Sequence, residues 1–206
     1  MTVISWNRED QTVIVEEILL EFWKSRPVIL PTDTIYGIAA PVSSPGTLEA
    51  VFKIKNRPKE LTLPVAVGAL YMVDEIARVH RWQKTTLRDN LPGPVTFVLE
   101  AKEDLDPLVV RKGTIAVRVP RHPVFIPLCA EAGPLGLTSA NLHGSENIIT
   151  AEELDDQFRG DLLIIGDNDS ISGSPSAIID LTDRNIRMLR EGKVNIHDIM
   201  GETNGR

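Results

Sequence analysis

Two hydroxyls and two cations stand close together in residues 28–57: Thr32 and Thr34 in a Pro31-Thr32-Asp33-Thr34 corner, then Lys55 and Arg57. Hydroxyls beside an ammonium and a planar guanidinium suit an anionic ligand, a phosphate or a carboxylate. Residues 28–30 and 35–40 are apolar runs of strand length, which predicts two short buried strands around the corner. Pro31 ends the first, because it donates no hydrogen bond to a sheet. Ser44 and Pro45 predict a helix start, with Ser as N-cap and Pro in the first turn. Leu48, Val51, Phe52 and Lys55 then share one face at the 3.6-residue period. Lys55 and Arg57 leave the end of that helix together, beside the hydroxyl corner. The competing reading is a solvated helix end, where cations favour the negative pole of the helix dipole.

The 206 residues, 42% hydrophobic and 25% charged, suit one globular domain. No apolar run approaches the roughly 18 residues of a membrane span, and no basic, then apolar, leader opens the chain. Cytoplasmic placement is the expectation. Cys129 is the only cysteine, which excludes an internal disulfide and a multi-thiolate zinc site. Its apolar surroundings point to an inert buried thiol. The net charge of −7 is uneven: residues 51–125 hold 13 Lys and Arg against 8 Asp and Glu, a balance of +5, and the remainder balances to −12. A basic middle in an acidic chain suggests a local anion site rather than a broad nucleic-acid surface.

Several signatures are absent. GxxxxGK[ST] and GxGxxG do not occur, so a nucleotide would be held by neither loop. HExxH and a Gly-x-Ser-x-Gly elbow are also missing, and His80, His122, His143 and His197 are scattered without metal spacing. An enzyme built this way works by positioning and charge stabilisation rather than through a covalent intermediate. The pattern predicts helices over 12–24, 70–78, 81–89, 123–132 and 151–158, the last capped by Thr150 with Glu153 completing a capping box. Strands are expected over 63–68, 95–101, 114–119, 135–138, 161–167, 176–182 and 186–192. Arg118 falls on one strand face with Thr114 and Ala116, opposite Ile115 and Val117. The mixed order predicts a single α/β domain on a mixed sheet.

Six blocks follow one another in order: PTDTIYG with Lys-Asn-Arg-Pro at 55–58, LPGPVTFVL at 91–99, IAVRVPRHP at 115–123, TSAN at 138–141, SPSAIIDLT at 174–182 and LREGKV at 189–194. Together they resemble the YrdC family of threonylcarbamoyl-AMP synthases, whose pattern is roughly PT-E/D-T-x-Y-G followed by K-x-R. The resemblance covers about residues 10–195 and leaves a short polar tail, 196–206. It implies a strongly twisted mixed sheet flanked by helices around a central cleft. It also implies an ATP-dependent nucleotidyltransferase that joins L-threonine, bicarbonate and ATP into threonylcarbamoyl-AMP and pyrophosphate, for threonylcarbamoyladenosine on tRNA. By the same resemblance Lys55 and Arg57 meet the triphosphate as catalytic cations. Thr114, Ser139, Asn141 and Arg190 hold ATP, and Thr32, Arg118 and Ser176 hold threonine. Mg2+ is expected on the phosphates, with no protein metal cage. The product passes to a tRNA threonylcarbamoyl transferase complex, and any direct tRNA binding is weak. One departure stands out: where many members carry Lys, Arg or Asn and then Pro, this chain has Leu61 and Thr62. A frequent downstream histidine is replaced by Ala66 or Val67, and Lys59 is placed to supply the missing charge. Two other readings remain open: a non-catalytic RNA-binding module, and a relative that uses another carbamoyl acceptor.

Overall fold

The computed structural model of the chain describes residues 2–141, 147–159, 161–196 and 199. The chain opens on a short strand, β1 (Thr2–Ser5), that sequence pattern did not predict. The apolar stripe expected over 12–24 forms α1 (Gln11–Trp23), which buries Ile14, Val15, Ile18 and Phe22. The corner lies between β2 (Val28–Leu30) and β3 (Gly37–Pro41), both wholly buried. Helix α2 (Pro45–Lys55) buries Leu48, Val51, Phe52 and Lys55 on the expected face. Ser44 holds the expected N-cap position with Pro45 in the first turn, but its hydroxyl pairs with that of Thr47 at 2.7 Å instead of capping a backbone amide. Asn56, in the left-handed region at φ 48°, ends the helix and turns the chain toward Arg57.

The strand expected over 63–68 contracts to β4 (Val65–Ala66), and the helix over 70–78 to a 3-10 turn, α3 (Val73–Ile76) and β5 (Ala77–Arg78). Next come α4 (Gln83–Asn90), β6 (Val95–Ala101), an unforeseen β7 (Val110–Arg111) and β8 (Thr114–Arg118). Helix α5 (Phe125–Ala132), β9 (Leu135–Ser139) and α6 (Ala151–Phe158) follow. Thr150 caps α6 by accepting the Glu153 amide at 3.3 Å. The chain then forms β10 (Leu163–Gly166), β11 (Ala177–Asp180) and β12 (Arg187–Arg190). Most of the expected tail, 196–206, lies outside the described residues, as do His143 and His197, but Ile199 is buried in the core.

All twelve strands among the described residues join one mixed sheet in the order β1-β10-β2-β3-β9-β4-β8-β6-β11-β12, with β5 added to β6 and β7 to β8. The parallel β1-β10-β2 set, the β4-β8 pair and the β6-β11 pair alternate with antiparallel neighbours. Helices cover its flanks, which gives the expected single-domain α/β architecture. The sheet is strongly curled. Arg118 on β8 bonds Thr34 beside β3, although β9 and β4 lie between them. Three strand spacings of about 4.8 Å separate β8 from β3 on a flat sheet, beyond the reach of one arginine. Curling brings the two halves face to face, and the concave side becomes the cleft.

Candidate active site

The corner is shaped by its own hydroxyls. Thr32 Oγ1 accepts the amides of Thr34 and Ile35 at 3.0 and 3.2 Å and donates to the Ile35 carbonyl at 2.7 Å. Its hydrogen is thereby used, so the Thr34 hydroxyl, 2.9 Å away, donates to it. Thr34 Oγ1 in turn accepts from Arg118 Nη1 at 2.7 Å. Thr32 borders the cleft, but its hydroxyl is committed within this turn.

Arg118 is buried, and its guanidinium bonds three residues from two segments. Nε donates to the Gly93 carbonyl at 3.0 Å, Nη1 to Thr34, and Nη2 to Asp33 Oδ1 at 2.7 Å. A buried cation needs such a partner to offset desolvation. Burial is the main force pulling its pKa down, Asp33 opposes it, and Arg190 adds to it by repulsion. Asp33 also accepts the Arg121 amide at 2.8 Å, which fixes the carboxylate between two donors. Two N–H groups of Arg118 lie outside these contacts, one on each terminal nitrogen, and the side chain borders the cleft.

Lys55 is far from a solvated helix end. Only 2% of it is exposed, and its ammonium donates to the Ser139 and Asn141 carbonyls and, at 3.3 Å, to Asn141 Oδ1. Asn141 Oδ1 also accepts the Ser139 hydroxyl at 2.6 Å. The lysine therefore sits beneath the end of β9 and ties it to α2. Desolvation, with some repulsion from Arg57, lowers its pKa to about 8. Arg57 is half-buried and faces the cleft, Nε on the Leu61 carbonyl at 2.7 Å and Nη2 on the Thr62 carbonyl at 3.2 Å. Burial lowers its pKa as well. Leu61 and Thr62 thus orient Arg57 through their backbone, which any residue supplies. Lys59 does not replace a missing cleft charge: it pairs with Glu49 on the surface, at 2.9 Å with both side chains exposed.

The opposite wall comes from the last hairpin. Arg190 donates from Nε and Nη2 to the Ser176 carbonyl at 3.1 and 2.8 Å, and from Nη2 to Ser176 Oγ at 3.2 Å. Ser176 Oγ meets Thr96 Oγ1 at 2.9 Å. Gly192 permits this approach: a Cβ there would lie 2.2 Å from the Ala177 nitrogen. Thr114 is not brought into the cleft. It shares the face of Arg118 but lies four residues away, about 13 Å along β8, with its hydroxyl on the Arg111 carbonyl. Strand alternation showed the shared face and not the distance.

Thr32, Arg57, Arg118, Ser139, Ser176 and Arg190 therefore converge on one open cleft, with Lys55 and Asn141 behind its wall. Asp33, Thr34 and Thr96 belong to the same apparatus. Thr34 stood out in the sequence as a corner hydroxyl, whereas Asp33 and Thr96 had no signal beyond position inside the quoted blocks. Tyr36 also borders the cleft; its buried hydroxyl donates to Asn168 Oδ1 at 2.7 Å and accepts the Asp167 amide at 2.8 Å. Burial pushes its pKa up to about 12. His122 is buried against Asp167 at 3.1 Å, and desolvation, opposed by Asp167 and Asp33, pulls its pKa down. Cys129 is buried, its thiol pushed up to about 12, in keeping with an inert core residue. No cluster of His, Cys, Asp and Glu among the described residues could hold a metal, and no described helix could cross a membrane.

Three guanidinium groups line this cleft, one ammonium lies behind its wall, and Asp33 pairs with Arg118. With hydroxyls interleaved and a curled α/β sheet beneath, that makes the cleft a site for a multiply anionic small ligand. A profile described as telomere recombination, for Sua5, YciO and YrdC proteins, matches residues 23–192, and the chain belongs to this family. A Methanocaldococcus jannaschii relative is 31% identical over 194 residues, 94% of this chain and 92% of its own. The threonylcarbamoyl-AMP synthase of Mus musculus is 33% identical over 85% of this chain and 65% of its own. Among solved structures, P. abyssi Sua5 complexed with L-threonine superposes with a TM-score of 0.89 at 25% identity, over 98% of this chain and 62% of that one. YciO of E. coli superposes with a TM-score of 0.83 at 26% identity, over 95% and 96%.

Proposed function

We propose that this protein is an ATP-dependent L-threonylcarbamoyladenylate synthase. The observation that carries this reading is the convergence of Arg57, Arg118 and Arg190 on the lining of one cleft, with the Lys55 ammonium behind its wall and Asp33 paired to Arg118. Bicarbonate and ATP are anions and threonine carries a carboxylate, so such a cleft attracts them and offsets the charge that builds during reaction. The threonine amine takes up carbon dioxide from bicarbonate to form a carbamate. A carbamate oxygen then bonds the α-phosphorus of ATP, the bond to the bridging oxygen breaks, and pyrophosphate leaves with that electron pair. Water from bicarbonate balances the sum.

Arg118 offers its two remaining N–H groups to the threonine carboxylate, a planar partner that suits them. Thr32 shapes the corner on that side, and Ser176 closes it. Arg57, Ser139 and Arg190 face the nucleotide. Lys55 and Asn141 hold the β9 turn beneath the phosphates, and the adenosine end extends along β8 toward Thr114. Mg2+ enters as part of the nucleotide: the one carboxylate at the cleft, Asp33, is engaged by Arg118 and Arg121, so the donors present suit a cation carried on phosphate oxygens and water. The product is an activated carbamoyl group for a tRNA threonylcarbamoyl transferase complex in the cytoplasm.

Release of pyrophosphate from ATP, followed against threonine and bicarbonate, tests the reading. Pyrophosphate is expected only when both are present, and Arg57→Ala is expected to lower the rate by at least ~10²-fold. Release independent of threonine or bicarbonate would overturn it.

A further inference from the structure

Strands β10 and β11 are consecutive in sequence yet lie on opposite halves of the sheet, with six strands between them. The connection, 167–176, must therefore cross the concave side. On the curled sheet the segment passes through a 3-10 turn at Asn168–Ser170 and is laced to the corner as it crosses. Gly173 N–H donates to the Thr34 carbonyl at 2.9 Å, and the Ser170 hydroxyl reaches the Thr32 carbonyl at 3.3 Å. It ends on Ser176 in the cleft wall.

What pins its start is the Asn168 side chain. Tyr36 Oη accepts the Asp167 amide, so its hydrogen is left to donate, and it does so to Asn168. The Ala151 amide, which can only donate, reaches the same atom at 3.0 Å. Two donors on one atom identify it as the amide oxygen. Asn168 Nδ2 points away to Glu152 at 3.1 Å. One acceptor thus joins the cleft tyrosine, the first turn of α6 and the start of the crossing segment. Asn168 itself does not border the cleft.

We infer that Asn168 is a positioning residue for the amino-acid side of the cleft, acting through Tyr36 and the 167–176 crossing that carries Ser176. The inference rests on the synthase reading only for the identity of the ligand, L-threonine. Asn168→Leu deletes the acceptor. Asn168→Asp, always paired with Glu152→Gln so that no carboxylate faces the atom replacing Nδ2, keeps the acceptor and places a negative charge at the α6 N-terminus, where it is tolerated.

The test is L-threonine titration with turnover, alongside amide hydrogen exchange at Gly173 in the ligand-free protein. Asn168→Leu is expected to weaken threonine binding about tenfold, the scale of one lost hydrogen bond. It should leave kcat within about twofold and speed Gly173 exchange at least about tenfold. Asn168→Asp should restore both, and Tyr36→Phe should accelerate the same amide without adding to the effect of Asn168→Leu. Unchanged Gly173 exchange in both Asn168→Leu and Tyr36→Phe would overturn the inference, as would an Asn168→Asp variant no better than Asn168→Leu. A wild-type protein that does not bind threonine would refute the synthase reading. Gly173 exchange would still decide the role of Asn168.

Discussion

Raising the pH removes one charge from the site before any other cation is touched. Burial, with help from Arg57, brings the Lys55 ammonium down from 10.5 to about 8, while the arginines stay protonated far higher. Between pH 8 and 10.5 the unfolded chain holds this proton and the folded one does not. Folding stability contributed by Lys55 therefore rises with pH over that interval, by up to about 3 kcal/mol. Activity should move the opposite way, because deprotonation costs the cleft a positive charge and loosens the Ser139–Asn141 turn. The assay is pyrophosphate release across pH 6.5–10, read separately as kcat/KM for ATP and kcat, in wild type and Lys55→Met. In wild type, kcat/KM should fall about tenfold per pH unit above pH ~8, since it reports the free enzyme. The limb in kcat should lie higher, because a bound triphosphate favours the charged lysine. Lys55→Met should be slow with no such limb. A wild-type profile level to pH 10, or a limb that survives in Lys55→Met, would refute the assignment.

Arg118→Lys keeps the charge and loses the planar fork that reaches Gly93, Thr34 and Asp33; KM for threonine should rise roughly 10- to 100-fold, with a smaller change for ATP. Gly192→Ala drives a Cβ against the Ala177 and Ser176 backbone, which has no room to move. It should cost about 2 kcal/mol and lower Tm by roughly 4–8 °C by calorimetry, with Arg190 displaced from Ser176. Lys59→Ala should leave turnover within about twofold, because its partner Glu49 is a surface residue.

What was legible in the chain was local. The period-3.6 stripe of α2 placed Lys55 on the same face as Leu48, Val51 and Phe52, and all four are buried there. Periodicity could not show what the ammonium meets, since Ser139 and Asn141 lie 84 and 86 residues away. Alternation put Arg118 and Thr114 on one strand face, but only the curl of the sheet decides that Arg118 reaches the corner. Ordered sequence blocks named most of the lining. They missed Asp33 as the counter-charge, because one carboxylate among 29 acidic residues carries no pattern of its own. Strands β1 and β7 escaped notice for a similar reason: four and two residues are too few to show a period. Asn168 was invisible, because it acts through a tyrosine 132 positions earlier.

The most direct measurement follows carbon and phosphorus together. The protein is incubated with ATP, L-threonine and 13C-bicarbonate, and the nucleotide products are examined by mass spectrometry. One cleft that seats amino acid and nucleotide side by side should yield an adenylate one 13C heavier than its unlabelled counterpart, bearing threonine, in step with pyrophosphate. An adenylate without the label, or ADP and phosphate in place of pyrophosphate, would contradict it.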